Sequence, residues 1–359
     1  MIKYNGWDIH YNNNKQQYYD IFDKAMVKEV EGSTEELENA ISELTGRQYC
    51  VAVANATDAL RFSLKDIGPG DEVLVSDFSW ISSSSCISMV GATPVFCDID
   101  LDSYHISFDS IKRMTTDKTK ALIYTHLFGN MVDTTEIRSW CDDHSIMFIE
   151  DAAQSLGSSL HGVKAGSIGD CSSFSFNGNK VIAGISGGGM FMTDDKEHAD
   201  YVKRVRRHGK DKDFCELGMN SKMFVTNADI IQYRLQYMEQ WQQQRNQIAS
   251  WYEIELSDEV ICPIVRPGLE HNFHKYVVRF ESKDQRKRVK EGLKSVGLNA
   301  SIHYERPLSK NSMYNDIIYK SDDCTNSQLV ADTVMSLPIH PFVTEEEVNN
   351  ICNALLISL

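Results

Sequence analysis

The chain has 359 residues, 42% of them hydrophobic and 24% charged, enough to bury a large core and to imply one large and one small domain. Its formal charge of −15 argues against nonspecific nucleic-acid binding, but backbone donors can still hold an anionic small ligand on such a protein. No apolar run approaches the ~20 residues of a membrane span, and the opening MIKYNGWDIH lacks the basic-then-apolar pattern of a secretory leader.

In chain order, TEELENAISELTG (34–46) reads as a helix with a Thr or Ser start and a Gly stop. YCVAVAN then reads as a short strand and TDALRFSLKDIG as a helix, apolar at helical spacing. EVLVSDF, TPVFCDI, KALIYTHLF and SIMFIED read as buried strands, with helical stretches such as TTEIRSWCDDHS between them. This alternation predicts parallel βαβ crossovers and a mostly parallel sheet flanked by helices, an α/β fold with ligands at the carboxyl ends of the strands. The glycine run after Lys180 reads as a segment too flexible to pack. From residue 228, ADIIQYRLQYMEQWQQQRNQIASWYEIEL reads as one long helix. Strand-like HKYVVRFES, helix-like QRKRVKEGLKSVG and a last helix opened by TEEEVNNICNALL follow, giving a smaller C-terminal α+β domain. The expected division is a large domain over 1–235, with its N-terminal segment, and a small one over 236–359 that includes the connecting helix. Nine cysteines, an odd number without a C-x-x-C pair, fit free thiols in a reducing cytoplasm better than disulfides or a zinc site.

Five strand ends carry unusual polar chemistry. Asn55-Ala56-Thr57-Asp58 opens a helix whose first N–H groups suit a phosphate, or form a simple N-cap. Trp80 follows EVLVSDF and can lie flat on a planar ring, or belong to the core. Asp151 and Gln154 follow SIMFIE, and a carboxylate at a buried strand end needs a cationic or hydrogen-bonded partner unless it caps a helix. In Phe174-Ser175-Phe176 the alternation turns Ser175 away from the two rings. Last comes Lys180, among Asn and Gly residues that keep bulky side chains away from it. The segment around Lys180 fails the G-x-x-x-x-G-K-[ST] spacing, and no G-x-G-x-x-G follows the first strand. A phosphate cradle, a flat aromatic, a buried carboxylate and a lysine on one sheet edge meet the needs of pyridoxal phosphate (PLP). The lysine condenses with the cofactor aldehyde, and the carboxylate keeps the pyridine nitrogen protonated. For that, the amine's pKa must fall from about 10.4, through desolvation and a nearby positive charge.

The segments EDAAQSLG (150–157), GSIGDCSSFSFNGNK (166–180) and the closing LPIHPFVTEEE resemble the DegT/DnrJ/EryC1/StrS family, and the likeness runs over nearly the whole chain. The family consists of PLP-dependent nucleotide-sugar aminotransferases of fold type I. The resemblance implies that Asp151 pairs with the pyridine nitrogen and Gln154 with the ring hydroxyl. It further implies that Ala56, Thr57 and Ser175 hold the phosphate, Trp80 stacks on the ring, and Lys180 carries the Schiff base. It also implies a homodimer in which an asparagine of the partner subunit reaches the cofactor phosphate. NSKMFVTNAD (220–229) departs from the family's pattern there, leaving Asn220 and Asn227 both as candidates.

By the same resemblance L-glutamate gives up its amino group and leaves as 2-oxoglutarate. The cofactor cycles through pyridoxamine phosphate, and the acceptor is a nucleotide-linked keto-sugar. Lysine at 180, where sugar-dehydrating members carry histidine, argues for transamination. The NGNK context is similar to 4-aminotransferases of bacterial surface-polysaccharide (O-antigen or capsule) pathways, so a dTDP- or UDP-linked 4-keto-6-deoxy sugar is expected. KYNGWDIHYNNNKQQYYDIF is similar instead to members acting at C3. His303 and Tyr304 fall where substrate-facing residues occur in the family, although His303 equally fits a structural histidine at the domain junction. The basic run VKRVRRHGK (202–210) reads as a solvated helix face sooner than as a diphosphate contact. The rival readings are a PLP-dependent dehydratase or lyase and a noncatalytic PLP-fold regulator.

Overall fold

The computed structural model describes residues 5–25, 30–295, 297–298 and 300–359. The N-terminal segment forms helices α1 (Trp7–Asn13), α2 (Lys15–Ala25) and α3 (Val30–Thr45). Gly46, at φ +77°, ends α3 in the left-handed conformation that favours glycine. Strands and helices then alternate as β1 (Tyr49–Val53), α4 (Ala56–Ser63), β2 (Glu72–Ser76), α5 (Ser82–Met89) and β3 (Thr93–Cys97). The alternation continues through α6 (Phe108–Met114), β4 (Thr119–Thr125), α7 (Thr135–Asp143) and β5 (Met147–Asp151). Short strands β6 (Ser159–Leu160) and β7 (Val163–Lys164) lead to β8 (Cys171–Ser175), β9 (Gly189–Thr193) and α8 (Lys196–Val205). After α9 (Val225–Leu235) and α10 (Met238–Leu256) come β10 (Leu269–Glu270), β11 (Tyr276–Arg279) and α11 (Lys283–Ser295). The chain closes with β12 (Lys320–Ser321), α12 (Thr325–Thr333), β13 (Val334–Leu337) and α13 (Glu345–Ser358).

The main sheet has the order β1-β9-β8-β5-β4-β2-β3-β12, parallel throughout except for β9, which runs antiparallel between β1 and β8. The predicted alternation therefore yields the expected α/β sheet. Its strands read as continuous apolar runs because helices cover both faces. None of the described helices is long and apolar enough to cross a membrane, and all nine cysteines are free thiols.

Two sequence expectations are corrected. The glycine run is not a loose segment, because it leads straight into β9, buried along its whole length between β1 and β8. Glycine is needed at its start for space: a Cβ on Gly189 would fall 2.4 Å from the Asn55 carbonyl carbon and 2.6 Å from the Ala56 nitrogen. Gly189→Ala is therefore expected to cost about 1–3 kcal/mol of stability. Urea unfolding tests this, and an unchanged midpoint would contradict it.

The stretch 228–256 is not one helix. It breaks between α9 and α10, where the Tyr237 N–H bonds back to the Arg234 carbonyl at 3.0 Å. The two halves pack on different partners, α9 on α2 and α3, and α10 on α13.

A separate apolar cluster joins α10, β11, α11, β13 and α13 through Tyr252, Val278, Val289, Met335 and Leu355. Thr344 opens α13 with a capping box to Glu347. The C-terminal half also reaches back to the main sheet. β12 pairs with β3, and Lys320 Nζ meets Glu72 Oε1 at 2.6 Å.

Candidate active site

β5 ends in Glu150-Asp151, whose side chains point to opposite faces of the sheet. The buried Glu150 carboxylate accepts hydrogen bonds from the backbone N–H groups of Gly166 (2.5 Å), Ile168 (2.9 Å) and Gly169 (3.3 Å), and meets His126 Nε2 at 2.9 Å. Burial pushes its pKa up, but His126 and these amides outweigh that and hold the carboxyl below its usual range. This anchor fixes β5 so that Asp151 faces the other side. There Ser83 Oγ (2.7 Å) and Thr125 Oγ1 (3.4 Å) donate to Asp151 Oδ2, and the Ala153 N–H donates to Oδ1 at 3.2 Å. Asp151 is thus an oriented, buried acceptor at a strand end.

Gln154, three residues on, is also buried. Its Oε1 accepts from the Phe128 N–H at 2.9 Å and lies 3.2 Å from His274 Nδ1, while Nε2 donates to the Tyr304 hydroxyl at 3.0 Å. With Oε1 taken by these partners, Nε2 is the end of the carboxamide presented as a donor. Tyr304 sits among Phe78, Trp80 and Phe128, with ring centroids 5.9, 5.9 and 6.3 Å away. Trp80 is 55% exposed, which rules out the core reading and leaves its indole face available to a planar ligand.

Lys180 lies on the turn after β8, its N–H bonded to the Asn177 carbonyl at 2.9 Å. It lines a cavity of about 20 Å³ together with Trp7, Asn179, Arg245, His274 and Lys275. Burial lowers its pKa to about 8, and the Asp151 carboxylate, close enough to act on it, pulls the other way. Burial thus supplies the depression that the sequence argument divided between burial and a nearby cation.

The neutral amine is the form that attacks an aldehyde. Capture of PLP by the cofactor-free protein is therefore expected to quicken as pH rises, with a midpoint near 8. Stopped-flow absorbance tests this, and a midpoint near the ordinary lysine value of about 10.4 would contradict it. Between those two pH values the unfolded chain binds the proton and the folded one does not, so this group makes the cofactor-free protein more stable as pH rises through the window.

The remaining strand ends lie along the same edge. Val53, Gly189 and Ser175 are in register across β1, β9 and β8, with Asn55 bridged to Gly188. Asn55 caps α4 through the Asp58 N–H at 2.9 Å. The amides of Ala56 and Thr57, in the first turn, have no acceptor within the helix. Thr57 Oγ1 and Ser82 Oγ lie 2.7 Å apart, placing a pair of hydroxyls at this helix start.

Asn220 and Asn227 are separated clearly. The Asn227 carboxamide is buried and holds its own chain, accepting from Ile185 N–H (2.7 Å) and Ser186 N–H (3.2 Å) and donating to the Gly187 carbonyl (2.6 Å). Asn220 is exposed, next to Ser221, whose Oγ donates to Asp58 Oδ2 at 2.6 Å. His303 Nδ1 lies 2.8 Å from Ser336 Oγ, and burial, reinforced by Lys275 and Lys180, pushes its pKa down to about 3. In the basic run, Arg204 pairs with Glu216 and Arg206 with Glu38, so these two arginines serve their own chain.

The sequence reading missed Ser83, Thr125, His274 and Lys275. The serine run 82–85 after Trp80 was the available signal for the first.

The residues present fit PLP. They offer a partly neutral amine, an oriented buried carboxylate, a donor amide, an exposed indole and free helix-start amides, each at a strand end of one sheet edge. That combination defines a PLP-dependent enzyme of fold type I. The model of the DegT/DnrJ/EryC1/StrS aminotransferase family matches residues 11–356, and the chain belongs to that family.

The dTDP-3-amino-3,6-dideoxy-alpha-D-galactopyranose transaminase of Aneurinibacillus thermoaerophilus is 32% identical, over 90% of this chain and 89% of its own. A DegT/DnrJ/EryC1/StrS aminotransferase of Brucella abortus superposes with a TM-score of 0.93 at 27% identity, covering 99% of each chain. A Streptococcus pneumoniae protein solved in a PLP form is 25% identical, with a TM-score of 0.88 over 95% of this chain and 96% of its own. The protein is a PLP-dependent nucleotide-sugar aminotransferase.

Proposed function

We propose that the enzyme moves the amino group of L-glutamate to C4 of a dTDP- or UDP-linked 4-keto-6-deoxy sugar, for assembly of a bacterial surface polysaccharide. The observation that carries the catalytic reading is Lys180, its pKa lowered by burial, sharing one sheet edge with the oriented Asp151 carboxylate. Bound PLP supplies an electron sink. In this reading Asp151 would hold the proton on the ring nitrogen, Gln154 Nε2 would donate to the ring hydroxyl, and Trp80 would cover the ring. Ala56, Thr57 and Ser175 would hold the phosphate, and the Lys180 amine would serve as the base that moves the proton during transamination. His303 and Tyr304 face the sugar, with His303 as a neutral imidazole.

The working unit in this reading is a homodimer in the cytoplasm, each copy divided at 235/236. Asn220 is the asparagine assigned to the partner's phosphate site, since Asn227 is engaged within its own chain. The exposed apolar side chains of Ile185, Leu217 and Phe224, on segments flanking these asparagines, support burial against a second copy.

The position on the sugar rests on the Asn177-Gly178-Asn179-Lys180 context. Amination at C3 is the second reading, favoured by the 3-amino sugar in the name of the Aneurinibacillus relative. Incubation with glutamate and a panel of dTDP- and UDP-linked keto-sugars, read by mass spectrometry and NMR, tests the proposal. A 4-amino product is expected; a 3-amino product would replace C4 by C3, and no amination of any keto-sugar would overturn the substrate class.

A further inference from the structure

The loop that carries Lys180 is gripped from the N-terminal segment, which the catalytic reading leaves unused. Trp7 Nε1 donates to the Gly178 carbonyl at 2.8 Å, two residues before Lys180, and Asn5 Nδ2 approaches the same oxygen at 3.4 Å. The face of the Trp7 ring carries the Arg234 guanidinium, 4.2 Å from the ring centroid. Arg234 is buried on α9, and its Nη1 donates to the carbonyl of Ala183 and approaches that of Gly184 at 3.5 Å, on the far side of Lys180. Its Nε donates to the Tyr18 hydroxyl at 2.9 Å, leaving that hydroxyl to donate to His10 Nδ1, also at 2.9 Å.

The segment is held from behind as well. Gly6 lies so close to Phe342 that a Cβ would fall 2.3 Å from Cδ2 of that ring, so any side chain there would have to push the ring aside. One guanidinium, stacked on one indole, therefore connects the backbone on both sides of Lys180 to helices far from it in sequence.

We propose that Trp7 and Arg234 are positioning residues for Lys180, together fixing the carbonyls at 178 and 183 so that the amine stays directed into the site. The inference rests on Lys180 being the lysine that bonds the cofactor. A lysine with several rotatable bonds reaches one productive geometry only when its backbone is held, and misplacement of about 1 Å costs on the order of 10²-fold in rate. The cation–π contact holds the guanidinium against the Trp7 ring while its N–H groups reach Tyr18 and Ala183.

Trp7→Phe is the mild test, since it keeps an aromatic face over Arg234 and removes only the N–H to Gly178. In the cofactor-free protein, amide exchange of a peptide spanning 177–184 is expected to rise about ten-fold, with α10 and α13 unchanged. The midpoint for chemical labelling of Lys180, read by peptide mass spectrometry against pH, moves up from near 8 towards the ordinary lysine value. In the loaded enzyme kcat falls about ten-fold at constant KM for glutamate. Arg234→Lys, which keeps the charge but cannot bridge Tyr18 and Ala183 together, shifts the same readouts in the same direction.

Unchanged exchange and labelling in both variants would overturn the proposal, as would exchange that rises equally across the molecule. The underlying assignment is separable: an active Lys180→Ala removes it whatever Trp7 does, whereas an inactive Lys180→Ala with a silent Trp7→Phe removes the clamp alone.

Discussion

Lys180→Ala is expected to lower turnover by about 10⁴-fold or more and to abolish the absorbance of lysine-bound cofactor. The size follows from two losses in one substitution. The covalent hold on the cofactor disappears, and so does the base that carries the proton between carbons, itself worth about 10²–10⁴-fold. The other lysine lining the cavity is Lys275, whose backbone N–H is fixed to the Phe128 carbonyl at 3.3 Å in the residue before β11. Burial, with the charges of Lys180 and Arg245, pushes its pKa well below the ordinary value. It belongs to a different segment of the chain, and no rescue of turnover by Lys275 is expected in the alanine variant. Single-turnover measurements under saturating PLP and glutamate give the rate, and a variant that retains turnover would contradict the assignment.

Asp151→Asn is expected to keep the fold and lose about 10³-fold in kcat. The carboxylate is buried and takes its hydrogen bonds from Ser83, Thr125 and Ala153, all donors. An asparagine oxygen can keep the Ser83 bond, its Nδ2 loses only the long bond from the Ala153 N–H, and the charge is lost. A unit charge about 4 Å from a protonated nitrogen contributes about 4 kcal/mol at an effective dielectric of about 20, close to three orders of magnitude in rate. The check is kcat under saturating PLP, with far-UV circular dichroism to show an intact fold. A loss below about ten-fold would mean that Asp151 does not hold the ring proton.

The sheet and most of the candidate site were legible because their signals are local. Apolar runs of strand length ended in polar residues, and a parallel sheet brings all such ends to one edge. What stayed hidden depends on partners distant in sequence. Ser83 is one of four consecutive serines, and only the packing of α5 brings it onto Asp151, 68 residues away. Gly189 looked flexible because nothing nearby shows that β1 and β8 enclose it.

The helix break at Gln236–Tyr237 carries no Gly or Pro, so the apolar spacing ran straight through it. Trp7 and Arg234 lie 227 positions apart in the chain, and only the fold stacks one on the other. Asn220 and Asn227 were indistinguishable by pattern, and hydrogen bonding separates them.

The most direct measurement is borohydride reduction of the PLP-loaded enzyme, followed by peptide mapping for the pyridoxyl mass. The mass is expected on the peptide containing Lys180 and on no other lysine. Its appearance on Lys275, or on no lysine at all, would contradict the assignment of the site.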